Sequence, residues 1–203
     1  MPGHFEPIPG GGAAVALDDV EISIIRSLAV QLLELIGPGP GGELSDDPLA
    51  ELFADGPTEP PTDAVLRRLL PDAYGGPAAE GAMSTADADE LRAYSSEFRR
   101  FTENDLRAGK REDALAVVRS LDSLASSADG GGAVLKLSPD ESIPWMRALN
   151  DLRLAIGTRL DITDEEDTDI LYRLPDEDAR KPMVMAYLWL GGLQETLVDT
   201  LLP

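Results

Sequence analysis

The sequence contains no cysteine, which excludes several classes of protein at once. Disulfide scaffolds, cysteine nucleophiles, zinc–thiolate sites, iron–sulfur clusters and thiol-based redox sensing all require that residue. Histidine is nearly absent as well, and the one that is present, His4, lies at what we expect to be a frayed terminus. A serine–histidine–aspartate triad would need that side chain buried and oriented, so we expect none. The sequence predicts neither a catalytic residue, nor a cofactor, nor a metal site.

Long apolar runs are also missing. The densest apolar stretch, Met183–Leu190, is eight residues long, whereas a membrane-spanning helix needs roughly 20 residues. The first residues do not have the basic-then-apolar order of a signal peptide. Together with the absence of cysteine, these features predict a cytoplasmic protein without membrane contact.

Basic residues are scarce. The 203-residue chain carries 17 lysines and arginines against 38 aspartates and glutamates, a formal net charge of −21. Such a charge opposes non-specific binding to nucleic acid and to anionic membranes, although a local basic patch would still permit contact with DNA. The segment 92–119 stands apart because it holds seven basic and five acidic residues.

What the sequence does contain is a segment that occurs twice. Gly10–Glu21 is similar to Gly130–Glu141, 120 positions later. Each copy indicates a glycine turn, a short strand and a helix that starts with a capping box. The capping pairs are Asp18 with Glu21 and Ser138 with Glu141, and the predicted strands are Phe5–Ile8, Ala14–Leu17 and Ala133–Leu137. A duplicated unit and independent convergence on the same turn chemistry both account for the likeness.

Helical periodicity accounts for most of the remaining chain. We therefore predict a mainly α (α+β) fold: a helical single domain over residues 1–203, with a small antiparallel β-sheet formed by the short strands that precede the two capped helices. A stretch rich in glycine and proline, at about residues 71–89, predicts a flexible linker.

The segment after this linker predicts an αα-hairpin. Its first helix begins at Glu90 and is expected to break at Gly109, and its second helix spans Glu112–Ser126. Apolar residues at helical spacing predict the inward faces, which are Leu91, Tyr94, Phe98 and Phe101 on the first helix and Leu115, Val118, Leu121 and Leu124 on the second.

Further elements follow from the same patterns of periodicity, capping and turns. They are a short helix Leu49–Ala54, a helix capped by Thr62, a helix with Trp145, Leu149, Leu152 and Ile156 on its core face, an acidic helix at 164–169, a strand Leu171–Leu174 and a C-terminal helix opened by Pro182. Gly191 and Gly192 in that last helix are expected to allow close approach of another helix.

The basic segment supplies the candidate partner-binding residues, which are Arg92, Arg99, Arg100, Arg107, Lys110 and Arg111. They indicate contact with a partner or a phosphate group. The alternative is charge pairing with the acidic remainder of the chain, for example Glu97, Glu103 and Glu112 on the same helices. The acidic run from Asp161 to Asp169 lacks the glycine and glutamate spacing of a calcium-binding EF-hand loop, so it indicates a solvated surface.

Three stretches resemble one actinobacterial family: Glu97–Arg107, Leu149–Leu160 and Tyr187–Glu195. It is a domain-of-unknown-function family that includes the actinomycete oxidative-stress regulators (AosR-like). The resemblance covers nearly the whole chain. The resemblance implies a cytoplasmic protein, often encoded near a protease adaptor and sulfur-assimilation genes. For some members it implies transcriptional regulation under oxidative stress with a sigma factor as partner. Their redox sensor is a cysteine pair, so direct thiol sensing does not carry over to this chain.

We therefore expect a non-enzymatic regulatory protein, a transcriptional or stress regulator that acts through protein–protein contacts. A sigma factor or RNA polymerase is the partner implied by the resemblance, and DNA is disfavoured by the net charge. The alternatives are an uncharacterised enzyme and a structural homo-oligomer with the C-terminal helix at its interface. An enzyme would need a deep pocket with convergent polar groups, for which Asn150, Asp151, Arg153 and Arg159 are the candidates.

Overall fold

The structure, a computed structural model, describes residues 3–37, 55–74, 85–125 and 132–202. Within these ranges the chain forms six helices and one three-stranded sheet. The helices are α1 (Asp19–Ile36), α2 (Ala64–Leu69), α3 (Thr85–Ala125), α4 (Pro139–Arg159), α5 (Glu165–Tyr172) and α6 (Lys181–Leu201), and the strands are β1 (Glu6–Pro7), β2 (Ala13–Leu17) and β3 (Ala133–Leu137). The predicted fold class, mainly helical with a small antiparallel sheet, is confirmed.

The chain divides into two compact units. The first contains Met1–Leu35 and Lys110–Pro203, and the second contains Ile36–Gly109. No helix in the described ranges is long and apolar enough to cross a membrane. The single domain over 1–203 and the linker at 71–89 stay predictions, and residues 75–84 of that linker lie outside the described ranges.

The sheet of the first unit is built from the repeated segment. Strand β2 lies between β1 and β3, and both pairings are antiparallel. Val15 lies opposite Leu135, its own counterpart 120 positions later, so a local two-fold axis through this pair relates the two strands. Gly12 and Gly132 occupy equivalent positions with φ of 94° and 96°, where a Cβ atom would press on a backbone carbonyl of the opposite copy. Only glycine fits both the backbone conformation and the space at these two positions.

The helices after β2 and β3 begin with the capping boxes predicted from the sequence. The side chain of Asp18 accepts a hydrogen bond from the amide of Glu21 at 2.7 Å, and the Glu21 carboxylate accepts from the amide of Asp18 at 2.9 Å. Ser138 and Glu141 form the same reciprocal pair at the start of α4. Each box satisfies amides of the first helical turn that have no partner within the helix.

The core of the first unit forms around α4. Trp145 is buried, its Nε1 donates to the hydroxyl of Ser120 at 3.3 Å, and the ring of Phe5 meets it edge-on with centroids 6.2 Å apart. The predicted core face is confirmed, since Leu149, Leu152 and Ile156 are also buried. Helix α6 contributes the buried residues Val184, Leu190, Leu193 and Leu197.

The glycines Gly157 in α4 and Gly191 and Gly192 in α6 differ in how closely other side chains approach them. A Cβ atom on Gly157 would lie 3.3 Å from the ring of Tyr187, and one on Gly191 would lie 3.4 Å from Nε of Arg153. Nothing lies within 4 Å of such an atom on Gly192. A Cβ atom on Gly191 would make only an ordinary van der Waals contact, so close approach of another helix does not explain either Gly191 or Gly192.

Three smaller predictions need correction or fall outside the structure. Helix α2 is capped by Asp63, whose Oδ1 accepts from the amide of Leu66 at 2.9 Å, and not by Thr62. The predicted strand Leu171–Leu174 is wrong, because α5 extends to Tyr172 and a turn follows. The predicted helix Leu49–Ala54 lies outside the described ranges.

The largest correction concerns α3, which is one continuous helix of 41 residues. The helix begins at Thr85 and passes through Gly109 without a break, so the predicted αα-hairpin is wrong. One interior glycine costs only about 1 kcal/mol relative to alanine, which good helix formers on both sides outweigh. In its second half the buried residues are Ala114, Val117 and Leu121, so only one of the four predicted inward residues is buried there.

Candidate functional site

The inward face of α3 in the second unit is polar. Ser95, Arg99, Glu103 and Arg107 follow one another at intervals of four residues, and all four are buried. Residues four apart lie on the same side of a helix, so these side chains form one row. The buried row is charged where an ordinary amphipathic helix would be apolar.

Glu103 lies at the centre of this row and is 2% exposed. Its Oε1 accepts hydrogen bonds from Nε and Nη2 of Arg107 at 2.9 and 2.8 Å, and its Oε2 pairs with Nη1 of Arg99. The second nitrogen of Arg99, Nη2, donates to the carbonyl of Leu70 at 3.0 Å and to Asp72 at 2.9 Å. We call Asp72, Arg99, Glu103 and Arg107 the buried ion cluster, in which Asp72 lies at the edge with its side chain 41% exposed.

The charges of the buried ion cluster balance, with two guanidinium groups and two carboxylates. Burial alone would lower the pKa of Arg99, but the hydrogen bonds with Asp72 and Glu103 outweigh it and raise that pKa. Arg107 Nη1 also donates to the carbonyl of Ile36 at 2.7 Å, at the C-terminal end of α1. The arginines therefore satisfy backbone carbonyls that have no helical partner, which an apolar side chain could not do.

The outward face of the same helical segment carries aromatic rings. Tyr94, Phe98 and Phe101 are 50%, 45% and 59% exposed, so the prediction that they point inward is wrong. The ring of Tyr74 meets those of Tyr94 and Phe98 edge-on, each at a centroid distance of 6.2 Å. The rings form an exposed aromatic surface because the row Ser95 to Arg107 occupies the interior.

Carboxylates lie between these rings. At 100° per residue, Glu90, Glu97 and Asp105 fall within the same sector of about 100° as the three aromatic residues of α3. Glu90 Oε1 accepts a hydrogen bond from the Tyr94 hydroxyl at 2.9 Å, and this bond raises the pKa of Tyr94. We call this surface the acidic–aromatic face, and its residues are Glu90, Tyr94, Glu97, Phe98, Phe101 and Asp105.

The six predicted partner-binding residues do not form one exposed basic surface. Arg99 and Arg107 belong to the buried ion cluster, whereas Arg92 and Arg100 are exposed. The remaining contacts of the set are Arg92 with Asp89, Arg100 with Asp55 at 3.7 Å, Lys110 with Asp151 at 2.7 Å, and Arg111 with the carbonyl of Leu33 at 3.1 Å. Pairing with nearby acidic and carbonyl groups, the alternative weighed above, describes these contacts. A partner-binding role for the set stays a prediction.

The first unit contains a cleft of about 370 Å³. One of its lining residues is Asp151, a candidate for an enzymatic site. Asp151 is buried, and Lys110 Nζ lies 2.7 Å from its Oδ1. Burial raises the pKa of Asp151, and Lys110 partly counteracts it. Burial likewise raises the pKa of Asp113, which also lines the cleft. The other lining residues are Met146, Arg147, Asn150 and Gln194.

Arg153 lines a second, open cleft of about 490 Å³ in the same unit. Its Nη1 donates to Gln194 at 2.7 Å, and its guanidinium lies 5.4 Å from the ring centre of Tyr187. Arg159 lines neither cleft, so the four enzymatic candidates are not brought to one place. Across the described ranges, no three histidine or carboxylate side chains are grouped so as to hold a metal ion.

Comparison with known proteins gives a match over almost the whole chain. Residues 3–201 match the profile of the family described as Domain of unknown function (DUF2017). The chain is similar to the oxidative stress regulator AosR of Mycobacterium tuberculosis (strain ATCC 25618 / H37Rv), with 31% identity over 184 residues, 90% of this chain and 78% of that protein. It is 32% identical over 187 residues to the putative oxidative stress regulator AosR of Mycobacterium leprae (strain TN), covering 90% of this chain and 79% of that protein. No solved structure matches the chain.

Proposed function

Because this chain belongs to the DUF2017 family, whose matched relatives are named oxidative stress regulators, we propose that it is a non-enzymatic regulator of the response to oxidative stress. It acts in the cytoplasm by binding another protein. The partner is a sigma factor or RNA polymerase, as the family resemblance implies. The chain does not sense oxidants through thiols, since it has no cysteine.

The observation that carries the protein-contact part of the proposal is the acidic–aromatic face. Tyrosine and phenylalanine are enriched at protein–protein interfaces, where they supply most of the buried apolar area. Burying one such ring typically contributes about 1.5–3 kcal/mol. A partner that covers the three exposed rings of this face would therefore be stabilised by burying them.

The charges support a protein partner over DNA. Of the six basic candidates only Arg92 and Arg100 are exposed, and each has a carboxylate beside it. Binding to a phosphate backbone requires several uncompensated lysines or arginines on one surface. The acidic–aromatic face has the opposite charge, so it favours a protein over a nucleic acid.

The absence of catalysis is part of the same proposal. In the cleft of the first unit the buried carboxylate of Asp151 is already engaged in an ion pair with Lys110. Of the other candidates, Asn150 also lines that cleft, whereas Arg153 and Arg159 lie outside it. This arrangement supports a structural role for the Lys110–Asp151 pair.

A genetic comparison tests the proposal. A strain without the protein and a strain carrying Tyr94→Ala, Phe98→Ala and Phe101→Ala are exposed to peroxide, and their transcripts are compared with those of the parent strain. We expect both strains to lose the same part of the transcript response, and RNA polymerase holoenzyme to co-purify with the unaltered protein only.

The matched control is Ile170→Ala with Tyr172→Ala on α5, which also removes exposed apolar side chains beside carboxylates. This variant should behave like the parent. A deletion strain with an unchanged response would overturn the regulatory role. A normal response in the aromatic variant would overturn the role of the acidic–aromatic face.

A further inference from the structure

We propose that the acidic–aromatic face docks a segment of the partner protein that is rich in arginine and lysine. The inference rests on the proposed function, because it names the chemistry of the partner that this surface takes. It is carried by three properties of the face: the alternation of rings and carboxylates, the absence of ion pairs to Glu97 and Asp105 among the described residues, and the fit of a guanidinium on one of the rings.

The alternation follows from the helical spacing. Glu90, Tyr94, Phe101 and Asp105 follow each other at intervals of four, seven and four residues along one side of α3, and Glu97 and Phe98 lie between them. Side chains three or four residues apart are neighbours on a helix surface. Tyr94 has Glu90 and Glu97 about one turn away, and Phe101 has Glu97 and Asp105, so a single long cationic side chain can reach a ring and a carboxylate together.

The negative charge of the face is not balanced by its own helix. Among the described residues, no basic side chain lies within ion-pair distance of Glu97 or Asp105. Arg99 and Arg107 are buried, and Arg100, which lies over the ring of Phe101, pairs with Asp55 and not with a carboxylate of the face. A second copy of this chain, with a net charge of −21, would bring like charge to the face. A cationic segment is attracted, and an acidic or phosphorylated one is repelled.

The rings can accept a cation. Arg100 lies with its guanidinium carbon 4.6 Å from the ring centre of Phe101, which shows that a guanidinium fits this surface. Within the described ranges no lysine or arginine covers the rings of Tyr94 or Phe98. An arginine of the partner can therefore stack on a free ring and pair with the adjacent carboxylate, which is the geometry that guanidinium favours.

Another acidic surface shows by contrast why this face is selected. Helix α5 also exposes carboxylates beside Ile170 and Tyr172. There Lys181 Nζ lies 5.0 Å from the ring centre of Tyr172, which is the one aromatic ring of α5, whereas on the acidic–aromatic face Arg100 covers Phe101 and leaves the rings of Tyr94 and Phe98 without a cation from the described residues. This difference makes α5 the matched control for exposed apolar side chains beside carboxylates.

The test measures peptide binding to the full-length protein by fluorescence anisotropy at low and at moderate salt. Three amphipathic helical peptides share one aliphatic face and carry arginine, glutamine or glutamate at all other positions. We expect the arginine peptide to bind most tightly. Replacing Phe98 and Phe101 with alanine should weaken its binding by about tenfold. The variant Glu97→Gln with Asp105→Asn should weaken it and reduce its salt dependence. The control Ile170→Ala with Tyr172→Ala should leave it unchanged.

Several results would overturn the inference. Equal binding of the arginine and glutamine peptides would show that the face does not recognise the positive charge of the peptide. Equal weakening by the α5 control would show that the peptide binds exposed apolar side chains beside carboxylates in general, and not this face. Preference for the glutamate peptide, or for a DNA duplex added as a competitor, would assign the face to another partner. None of these outcomes touches the proposed function, which fails separately if the aromatic variant regulates transcripts normally.

Discussion

Replacing Glu103 with glutamine should destabilise the protein strongly, although it alters only an oxygen and a charge. Glu103 joins Arg99 and Arg107 in a site that water hardly reaches. Removing one partner of a buried ion pair typically costs 3–5 kcal/mol, because the remaining charge stays buried without compensation. Glutamine keeps one acceptor oxygen, so we expect a loss at the lower end, about 3 kcal/mol.

The assay is urea unfolding of the full chain, followed by far-ultraviolet circular dichroism. With a urea dependence of about 1–3 kcal/mol per molar, typical of small domains, the midpoint should fall by at least about 1 M. The matched control is Glu97→Gln, the same substitution on the same helix at an exposed position. That change should stay within about 0.5 kcal/mol of the parent.

The comparison between the two glutamine variants decides the argument. If Glu103→Gln shifts the midpoint no more than Glu97→Gln, then Glu103 is not the centre of a buried ion cluster. In that case the assignment of the inward and outward faces of α3 would be refuted as well, since both rest on the same rotation of the helix.

Four further changes test other parts of the fold. Gly109→Ala should raise the melting temperature, stabilising by about 0.5–1 kcal/mol, because the position is within a helix with nothing near a Cβ atom; a lower melting temperature would indicate the break that the structure lacks. Gly12→Ala should cost at least about 1 kcal/mol in urea unfolding because of its φ of 94°, and a neutral result would contradict the strand geometry. Ser138→Ala should cost about 1 kcal/mol in the same assay through loss of the α4 cap, and an unchanged midpoint would rule the cap out. Hydrogen bonds with Arg180 lower the pKa of Asp178 from 3.8 to about 2. The stabilisation from these bonds is therefore complete above about pH 4 and is lost as the pH falls toward 2. The melting temperature of Arg180→Gln should fall less over that pH range than that of the parent, and parallel curves for the two proteins would contradict the pairing.

The parts of the fold that the sequence predicted correctly are those set by local chemistry. The capping boxes at Asp18 and Ser138 depend on residues three apart, and glycine before each strand meets a backbone requirement that no other residue fits. The core face around Trp145 follows from helical spacing in a segment whose apolar stripe is buried. Such features need no knowledge of the neighbouring elements.

The face of α3 could not be predicted in this way. Tyr94, Phe98 and Phe101 have the spacing of a core stripe, and hydrophobic periodicity alone places them inward. The structure places Arg99 and Arg107 inward because the carbonyls of Leu70 and Ile36 need donors, and those carbonyls come from distant parts of the sequence. The available signal was the regular row of Arg99, Glu103 and Arg107 at four-residue spacing, which is typical of mutual pairing.

The prediction of the candidate site contained the same error about which side of α3 faces the solvent. Of the six basic residues predicted to contact a partner, Arg99 and Arg107 are buried and Lys110 and Arg111 are half-buried. The solvent-facing side of the helix carries rings and carboxylates. The sequence did indicate the helix that carries the exposed rings, since the basic segment 92–119 lies within α3. It assigned the wrong side of that helix to the solvent.

The most direct test of the central claim is site-specific photo-cross-linking in cells during peroxide stress. A photoreactive phenylalanine analogue replaces Phe98 on the acidic–aromatic face or, as a control, Ile170 on α5. We predict a discrete cross-linked complex from position 98 only, with the cross-link mapping by mass spectrometry to an arginine- and lysine-rich segment of a sigma factor or RNA polymerase subunit. No cross-link at position 98, or the same products from both positions, would contradict the claim that this face of α3 is where the protein meets its partner.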